Sequence, residues 1–528
     1  MQASKGTRVS EIAMFVILAC VIVVPLISMF ANIKGADFSA VFKGQAFWEA
    51  LGNSLLASLI STVISIVIAY ALAWAVNRTN IKLKALWSVI LVLPMLIPSI
   101  SHGSGLIMLF GNNGIFTNLF GGTSKIYGLT GIVIGSVLYS FPVAFLMISD
   151  VLKYQDYSPY AAAEVMGIKK SRQFTAITLP YMKKPIISVL FATFTMVITD
   201  YGVPLSVGGH FKTLPVILFE EAVGQLNYSV GGIIGIVLLV PAVIAFLVDL
   251  FNKDVGQSTK VAQPFVIEKN KARDAVAYVV STLIVIFTCM IFVAFCVQAF
   301  TVRYPQDMSF TFANFTKTFE KKGLQYLGNS ILIAVLTAGV GTLVAFILAY
   351  LTARTKTKSS KFLHLLTITS LAIPGLVLGL SYSVVFKQSF VYGTLAILIM
   401  VNSVHFLASP YLMMYNALNK VHENLEDVGA ILGISRMRVI TQIIVPQTKY
   451  TIMEMASYFF VNCMMTISAV SFLATPSNKP LSLLINQFEA YSMMECAAVV
   501  ALLILGVNLL IKIVVGIIKR KGGAKDVK

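Results

Sequence analysis

Charged residues are scarce in this 528-residue sequence. Asp, Glu, Lys and Arg make up 12% of the chain, whereas hydrophobic residues make up 57% and the mean hydropathy is +0.85. Soluble globular chains carry about a quarter charged residues, so a soluble enzyme of this length would lack the polar residues for its surface. The apolar residues form long continuous runs, which favour membrane helices over a β-barrel. The sequence therefore predicts a polytopic, all-α membrane protein.

Cysteines are few and catalytic motifs are missing. The five cysteines fall inside apolar runs without metal-ligand spacing, so we expect packing residues and no disulfide. The five histidines are scattered, and none is predicted to bind a metal. There is no Gly-x4-Gly-Lys-Ser/Thr motif and no nucleophile with a base, which argues against an enzyme and against a bound cofactor. A membrane protein of this kind would draw any energy that it needs from a partner or an ion gradient.

Acidic residues are outnumbered, since 22 Asp and Glu face 40 Lys and Arg. In a soluble protein this excess would suggest nucleic-acid binding. Here the cations lie between apolar runs, so we expect them to set membrane topology, with no nucleic-acid partner. Twelve runs are near the roughly 20 residues that cross a bilayer. They are 12–31, 54–76, 86–110, 129–149, 185–203, 230–250, 275–300, 329–352, 362–386, 391–416, 451–473 and 496–518.

The distribution of Lys and Arg predicts the orientation of these spans. With both termini in the cytoplasm, the inner segments hold 30 of the 40 cationic residues. Cytoplasmic loops carry such an excess, so the sequence predicts a multi-pass membrane protein with both termini in the cytoplasm. The outer segment 301–327 departs from this pattern with four cations, and it is either a docking surface or a contact with lipid headgroups.

The chain contains an internal repeat. The residues LGNS at 51–54 recur at 327–330, and Arg-Thr at 78–79 recurs at 354–355, both at an offset of 276. Further along, Gly167 matches Gly433 at an offset of 266. We therefore predict a first half over 1–251, a cytoplasmic linker over 252–274 and a second half over 275–528. Six spans in each half imply two parallel repeats related by a pseudo-two-fold axis along the membrane normal.

A second repeated signature lies in the longest cytoplasmic loop of each half. Residues 161–167 read AAAEVMG and are followed, after nine residues, by ITLP; residues 427–433 read DVGAILG and are followed, at the same spacing, by IIVP. Each block predicts a short amphipathic helix that ends at its glycine, which favours a left-handed backbone. Such a helix can fill a groove on a soluble partner, and its small residues would let the partner's backbone approach closely.

This arrangement resembles the EAA loop of ABC importer permeases, in which the loop is the coupling helix that docks on the ATP-binding subunit. The resemblance is closest to permeases with both halves fused in one chain, as in ferric-iron, thiamine and phosphonate importers. The first loop has Ala161 where the family often has Glu. The residues that the resemblance assigns to ATPase docking are Ala161, Ala162, Ala163, Glu164 and Gly167 in the loop at about 156–176, and Glu426, Asp427, Val428, Gly429 and Gly433 in the loop at about 422–442.

The resemblance implies a multi-pass transport subunit of the bacterial cytoplasmic (inner) membrane that binds no ATP of its own. Its partners would be two copies of a cytoplasmic ABC ATPase, which bind ATP and Mg, an extracytoplasmic solute-binding protein at the outer loops, and membrane lipid. Ferric iron is the first expectation for the solute, with 2-aminoethylphosphonate, thiamine and polyamines as alternatives. An ion-coupled secondary transporter also has twelve spans in a parallel repeat, but the paired loops would have no role in it. A membrane-bound enzyme is the third alternative.

One acid, Asp200, lies well inside a predicted span. A membrane acid usually faces a cavity or a partner, so Asp200 either lines the pathway of a cationic solute or is held at a helix end. The matching stretch of the second half is polar but uncharged. Asn53 and Asn329 are expected to be helix caps or inter-helix hydrogen-bonding residues, and Pro94, Pro98 and Pro374 to kink spans three and nine. The candidate pathway residues are Asp200, Tyr201, Thr466, Ser468 and Ser471.

Overall fold

The structure is a computed structural model. It describes residues 5–33, 38–252, 263, 265, 267–355, 357–422 and 424–523. Just over half of the predicted linker 252–274, residues 34–37 and the last five residues of the chain therefore lie outside the described residues.

The described residues are almost entirely helical. Short π-helical turns interrupt the helices at Ala19–Val23, Phe174–Thr178, Glu220–Gly224 and Ile440–Ile444, and 3-10 turns lie at Leu93–Leu96 and Thr369–Ala372. A β-hairpin pairs Thr301–Arg303 with Asp307–Phe310. The α-helices are Lys5–Leu18, Val24–Ala31, Phe38–Lys43, Gln45–Arg78, Lys84–Ile90, Ser99–Phe110, Ile115–Phe120, Leu129–Lys153, Ser158–Val165, Lys170–Gln173, Leu179–Ile198, Gly202–Val207, Leu214–Phe219, Tyr228–Asn252, Lys271–Ala299, Ala313–Glu320, Gly323–Arg354, Lys358–Ile368, Gly375–Phe386, Leu395–His405, Ala408–Asn419, Leu425–Ile431, Arg436–Val439, Val445–Gln447, Lys449–Met465, Ser482–Ala490 and Met494–Gly523.

Eight helices in the described residues are long and apolar enough to span a membrane, or ten if two bent pairs each count as one span. Both bent pairs fall on predicted spans, with bends of 106° for 358–386 and 53° for 395–419. The other two predicted spans are interrupted: 86–110 breaks at a 3-10 turn and Pro98, and 451–473 is helical only to Met465. The all-α membrane fold is confirmed, whereas the count of twelve and the pseudo-two-fold axis stay predictions.

The chain packs into two units that do not follow the predicted halves. One unit contains the described parts of Met1–Val41, Leu218–Leu239 and Phe315–Lys528, and the other contains those of Phe42–Ile217 and Val240–Asn314. The first helix thus packs with the second half of the sequence, and the helix Lys271–Ala299 packs with the first half. The boundaries 1–251 and 275–528 stay a prediction about the repeat.

A buried acid fixes the first helix within its unit. Glu11 is only 2% exposed, and its carboxyl group accepts hydrogen bonds from the hydroxyls of Thr355 (2.7 Å), Thr357 (3.2 Å) and Ser359 (2.5 Å). These hydroxyls follow directly after the long helix Gly323–Arg354. Because a buried polar group needs a partner, this contact fixes where the first helix meets that segment.

The other unit contains a related contact. Asp274, in the first turn of Lys271–Ala299, accepts a hydrogen bond from the backbone N–H of Asn80 at 3.2 Å. Asn80 follows the long helix Gln45–Arg78 by two residues. In each unit, an acid from a helix distant in sequence therefore binds the segment just after a long helix.

The repeat is visible in secondary structure and in side-chain contacts. The π-helical turns Phe174–Thr178 and Ile440–Ile444 differ by 266 positions, as their matched glycines do. Asn53 donates to the carbonyl of Lys212 at 3.0 Å, and Asn329 donates to that of Lys479 at 3.2 Å. Both asparagines lie inside long helices, so they make tertiary hydrogen bonds to a segment distant in sequence and are not helix caps.

We predict that Glu11→Ala lowers the thermal stability of the protein in detergent. Loss of a partner by a buried polar group costs about 1–3 kcal/mol, and the substitution affects several hydroxyls at once. The unfolding midpoint, followed by fluorescence, measures the effect. Glu49→Ala is the matched control, because Glu49 is exposed and accepts a hydrogen bond from Gln45 of its own helix. Equal midpoints for Glu11→Ala and wild type would contradict this role of Glu11.

Candidate coupling loops

The two predicted coupling helices end in the same turn. Helix Ser158–Val165 is followed by Gly167 with φ +70°, and helix Leu425–Ile431 is followed by Gly433 with φ +69°. The backbone N–H after each glycine returns to a carbonyl five residues earlier, at 2.9 Å in the first loop and 2.8 Å in the second. This is the Schellman arrangement, which places a glycine in the left-handed region. The predicted helix end is therefore present in both loops.

The small residues of the signature divide into two groups. Ala163 and Gly429, at matched positions, are buried inside their own loops. A Cβ atom on Gly429 would lie 2.8 Å from Cγ2 of Val439, in the return helix Arg436–Val439. Small size at Gly429 therefore serves packing within the loop, and Ala163 is buried at the matched position, whereas Ala162 is exposed.

Large apolar side chains lie exposed next to each glycine. Val165 is 91% exposed and Met166 is 68% exposed in the first loop; Ile431 is 85% exposed and Leu432 is 66% exposed in the second. The predicted docking residues Glu164, Asp427 and Val428 are also exposed. Both loops therefore present an apolar ridge with flanking acids. We call the two ridges the docking ridges.

A buried ion pair holds the second loop. Arg354 ends its long helix and binds Glu426 through two hydrogen bonds, of 2.8 and 2.5 Å, with both side chains at most 5% exposed. Arg354 also donates to the carbonyls of Val421 (3.0 Å) and His422 (2.7 Å). Glu426 is thus a structural member of the loop that points inward, and it is not part of the docking ridge.

Two further residues extend this network. The hydroxyl of Tyr350 lies 3.3 Å from the Glu426 carboxylate and accepts a hydrogen bond of 2.7 Å from Nε of Arg436. Burial raises the pKa of Glu426, but the hydrogen bonds that its carboxylate accepts from Arg354, the backbone and Tyr350, together with the positive charge of Arg354, outweigh burial, so the pKa lies below its ordinary value of 4.5. The long helix, the coupling helix and the return helix are therefore held at one charged centre.

The first loop is held by the matched arginine with different partners. Arg78 ends helix Gln45–Arg78 and donates to the carbonyl of Leu152 at 2.6 Å and to the side chain of Gln155 at 2.8 Å. Gln155 in turn donates to the hydroxyl of Tyr160 at 2.7 Å. Tyr160 occupies the position that matches Glu426 in the second loop.

Asp200 is held at a helix end. Its carboxylate accepts a hydrogen bond of 3.0 Å from the backbone N–H of Val203 and further bonds from Gly202 and Ser99. It thereby caps the short helix Gly202–Val207. Tyr201 beside it is fully buried. The structure gives Asp200 the helix-end role that was one of the two predicted roles.

The candidate pathway residues of the second half lie where the helix Lys449–Met465 has ended. Thr466 is buried, and Ser468 and Ser471 are half-buried. Ser468 lies against Gly375, where an added Cβ would clash with its hydroxyl. Gly375 follows Pro374 at the 106° bend, so the predicted kink at this proline is confirmed.

Within the described residues, no three His, Cys, Asp or Glu side chains form a candidate metal site.

The anchoring role of the arginines was missed in the sequence. The Arg-Thr pair was visible as part of the repeat, and a cation at the end of a long apolar helix could have indicated a loop contact. The ring of Phe265 lies against the guanidinium group of Arg78. This residue could not be found from the repeat, because it lies in the linker and has no counterpart there.

Family similarity covers both halves. The family described as "Binding-protein-dependent transport system inner membrane component" matches residues 63–257 and 341–522. The chain belongs to this family. It is therefore a membrane-embedded permease subunit of a transport system and is not an enzyme.

Individual members are more distant. The ferric transport system permease protein FbpB of Actinobacillus pleuropneumoniae is 25% identical over 408 residues, which cover 74% of this chain and 59% of that protein. The putative ferric transport system permease protein FbpB 1 of Haemophilus influenzae is 24% identical over 406 residues, covering 74% and 64%. This chain thus spans less than two thirds of either relative. A chain of a bacterial alginate ABC transporter, solved with an alginate pentasaccharide-bound periplasmic protein, is 17% identical with a TM-score of 0.38, covering 45% of this chain and 89% of that one.

We predict that Glu426→Ala loosens the second loop and leaves the first unchanged. Removing one partner of a buried ion pair costs about 3–5 kcal/mol, because the remaining charge stays buried. Hydrogen exchange of 425–439 should become faster, with exchange of 158–173 as the internal reference. Glu164→Ala is the control, since Glu164 is exposed and bonded to Tyr157 of its own loop.

The same pair predicts a dependence on pH. Because the pKa of Glu426 is lowered on folding, its stabilising effect is complete above pH 4.5 and is lost as the pH falls through the lowered value. The unfolding midpoints of wild type and Glu426→Ala should therefore converge below pH 4.5. A constant difference down to pH 3 would show that the pair does not titrate in this way.

Proposed function

We propose that this chain is the membrane subunit of an ATP-driven importer, with both permease halves in one polypeptide. The docking ridges would each receive one copy of a cytoplasmic ABC ATPase, and the outer segments would receive a solute-binding protein. The observation that carries the proposal is the pair of loops, which share a Schellman turn and an exposed apolar ridge at the same repeat offset. An exposed apolar helix end that is cradled by its own loop is suited to a groove on a soluble partner.

The anchoring arginines support a mechanical role for the loops. A force on the second docking ridge would pass through Glu426 to Arg354, and so to the helix Gly323–Arg354. ATP binding would draw the two ATPase copies together and move the loops with them. The spans attached to the loops would then shift from an inward-open to an outward-open arrangement, and hydrolysis would reset them.

The proposal includes the membrane arrangement predicted from the sequence. Both termini would lie in the cytoplasm, with twelve spans in two parallel sets of six and a pseudo-two-fold axis along the membrane normal. The eight to ten candidate spans among the described residues and the excess of inner Lys and Arg support it. Membrane lipid would contact the exposed apolar faces of the spans.

Ferric iron is the solute we propose first. The support comes from the relatives, two of which bear the name of a ferric transport permease. Asp200 adds no support, because its carboxylate is taken up by the end of a helix. Tyr201, Thr466, Ser468 and Ser471 remain proposed pathway residues. Phosphonate, thiamine and polyamine are the other solutes to be tested.

The deciding experiment is purification from the native host followed by native mass spectrometry and uptake in proteoliposomes. We expect one permease with two ATPase copies, and uptake that requires ATP and the binding protein. Radiolabelled ferric iron, 2-aminoethylphosphonate, thiamine and spermidine would identify the solute. A lone chain that transports on a proton gradient without an ATPase would overturn the proposal in favour of a secondary transporter.

We predict that Gly167→Val and Gly433→Val each reduce ATP-dependent uptake, while the protein remains in the membrane. A left-handed backbone costs a non-glycine residue about 1–2 kcal/mol, and more when it is β-branched. No atom of the described chain lies within 4 Å of a Cβ added at either glycine, so crowding inside the loop does not contribute.

Asparagine at the same positions separates the two causes of such a loss. Asparagine tolerates the left-handed region but still adds a side chain. Loss with valine alone would assign the effect to the turn, and loss with both would assign it to a clash with the partner. Normal uptake in all four variants would rule out docking at these turns.

A further inference from the structure

A described piece of the inter-half linker lies on the first coupling loop. The backbone N–H of Tyr157 donates to the carbonyl of Gln263 at 3.1 Å, and the N–H of Gln263 donates to the Asp156 carboxylate at 3.1 Å. This is a reciprocal pair of bonds between the linker and the residues that precede the coupling helix. The linker is therefore fastened to the loop at this point.

Phe265 is the centre of this contact. Its ring packs edge-on against the rings of Tyr157 and Tyr160, with centroids 5.0 and 5.2 Å apart. The guanidinium carbon of Arg78 lies 3.8 Å from the centre of the same ring. A guanidinium at this distance is attracted by the negative face of the ring. Phe265 thus joins the end of the long helix to the start of the coupling helix.

A second contact fastens the linker on the other side of the loop. Glu268 pairs with Lys170 at 2.5 Å, and the carbonyl of Glu268 accepts a hydrogen bond of 3.1 Å from Asn80. Lys170 lies in the return helix after Gly167. The linker therefore contacts the coupling helix, the return helix and the segment after the long helix.

In the second loop, the arginine is paired with a residue of the loop itself. Arg354 meets the carboxylate of Glu426, whereas the described hydrogen bonds of Arg78 go to two carbonyls and an amide and include no carboxylate. The position of Glu426 is occupied by Tyr160 in the first loop, and Tyr160 carries no charge to offer Arg78. The negative face of the Phe265 ring therefore takes the place of this carboxylate opposite Arg78.

We propose that Phe265 is a positioning residue for the first coupling loop and does there what Glu426 does in the second. The linker then completes one of the two docking sites, in addition to joining the halves. This inference rests on the proposed coupling function for its effect on transport, but its effect on loop order is independent of it.

The test compares Phe265→Leu with Phe265→Tyr in the full chain. Leucine keeps an apolar side chain of similar volume and removes the aromatic face, whereas tyrosine keeps that face. We expect leucine to raise hydrogen exchange over 158–173 by roughly 3–30-fold, as loss of a cation–π contact implies. Exchange over 425–439 should stay unchanged, and tyrosine should resemble wild type. Phe390→Leu is the control, because Phe390 is 94% exposed.

A second-site change sharpens the test. Tyr160→Glu places a carboxylate at the position that matches Glu426, so we expect it to restore protection of 158–173 in the Phe265→Leu background. In proteoliposomes with the ATPase, Phe265→Leu should lower solute transported per ATP hydrolysed, and the double variant should recover it. General destabilisation would not be corrected by this particular charge.

Three outcomes would overturn the inference: unchanged exchange in Phe265→Leu, equal loosening of both loops, or no rescue by Tyr160→Glu. If wild type itself shows no ATP-dependent uptake, the proposed function fails, whereas the exchange results still decide the role of Phe265. If the exchange results match expectation but the ratio of transport to hydrolysis does not change, Phe265 orders the first loop as inferred, and the inferred effect on transport is wrong.

Discussion

Each candidate coupling loop is held by an arginine that ends a long helix, Arg78 in the first loop and Arg354 in the second. A guanidinium offers five donors in a fixed plane, and its position at a helix C-terminus is favoured by the helix dipole. At Arg354 these donors take up two backbone carbonyls and a carboxylate, and together they fix the path of the chain into the coupling helix. The turns at Gly167 and Gly433 are closed by local backbone hydrogen bonds, whereas the arginines connect the loops to the long helices.

The two halves satisfy the same requirement with different chemistry. The second loop uses an ion pair, which is strong only while both partners stay buried together. The first uses carbonyls, an amide and an aromatic ring, which tolerate changes of charge but need a segment from outside the loop. The arginine and the Schellman turn thus recur in both loops, whereas the group opposite the arginine differs.

Local features were predictable from the sequence, and features that need distant partners were not. The turns at Gly167 and Gly433 follow from a glycine at the end of a short amphipathic segment, and the long spans follow from hydropathy. The break at Pro374 could be expected, but not its 106° bend, which depends on packing. The partners of Glu11 lie more than 340 residues away and have no signature in sequence. The sequence contains small residues at 163 and 429, but it does not show whether these residues face a partner or pack within their own loop.

The contact of Glu11 has a consequence for the order in which the protein is synthesised and folds. Thr355 emerges from the ribosome 344 residues after Glu11. At about 5–20 residues per second, translation separates the two by roughly 17–70 seconds. During that interval the acid has none of the hydroxyls that surround it in the finished structure, so water or lipid headgroups must solvate it. The helix that carries Glu11 can therefore take up its final packing only after the segment 355–359 has been made.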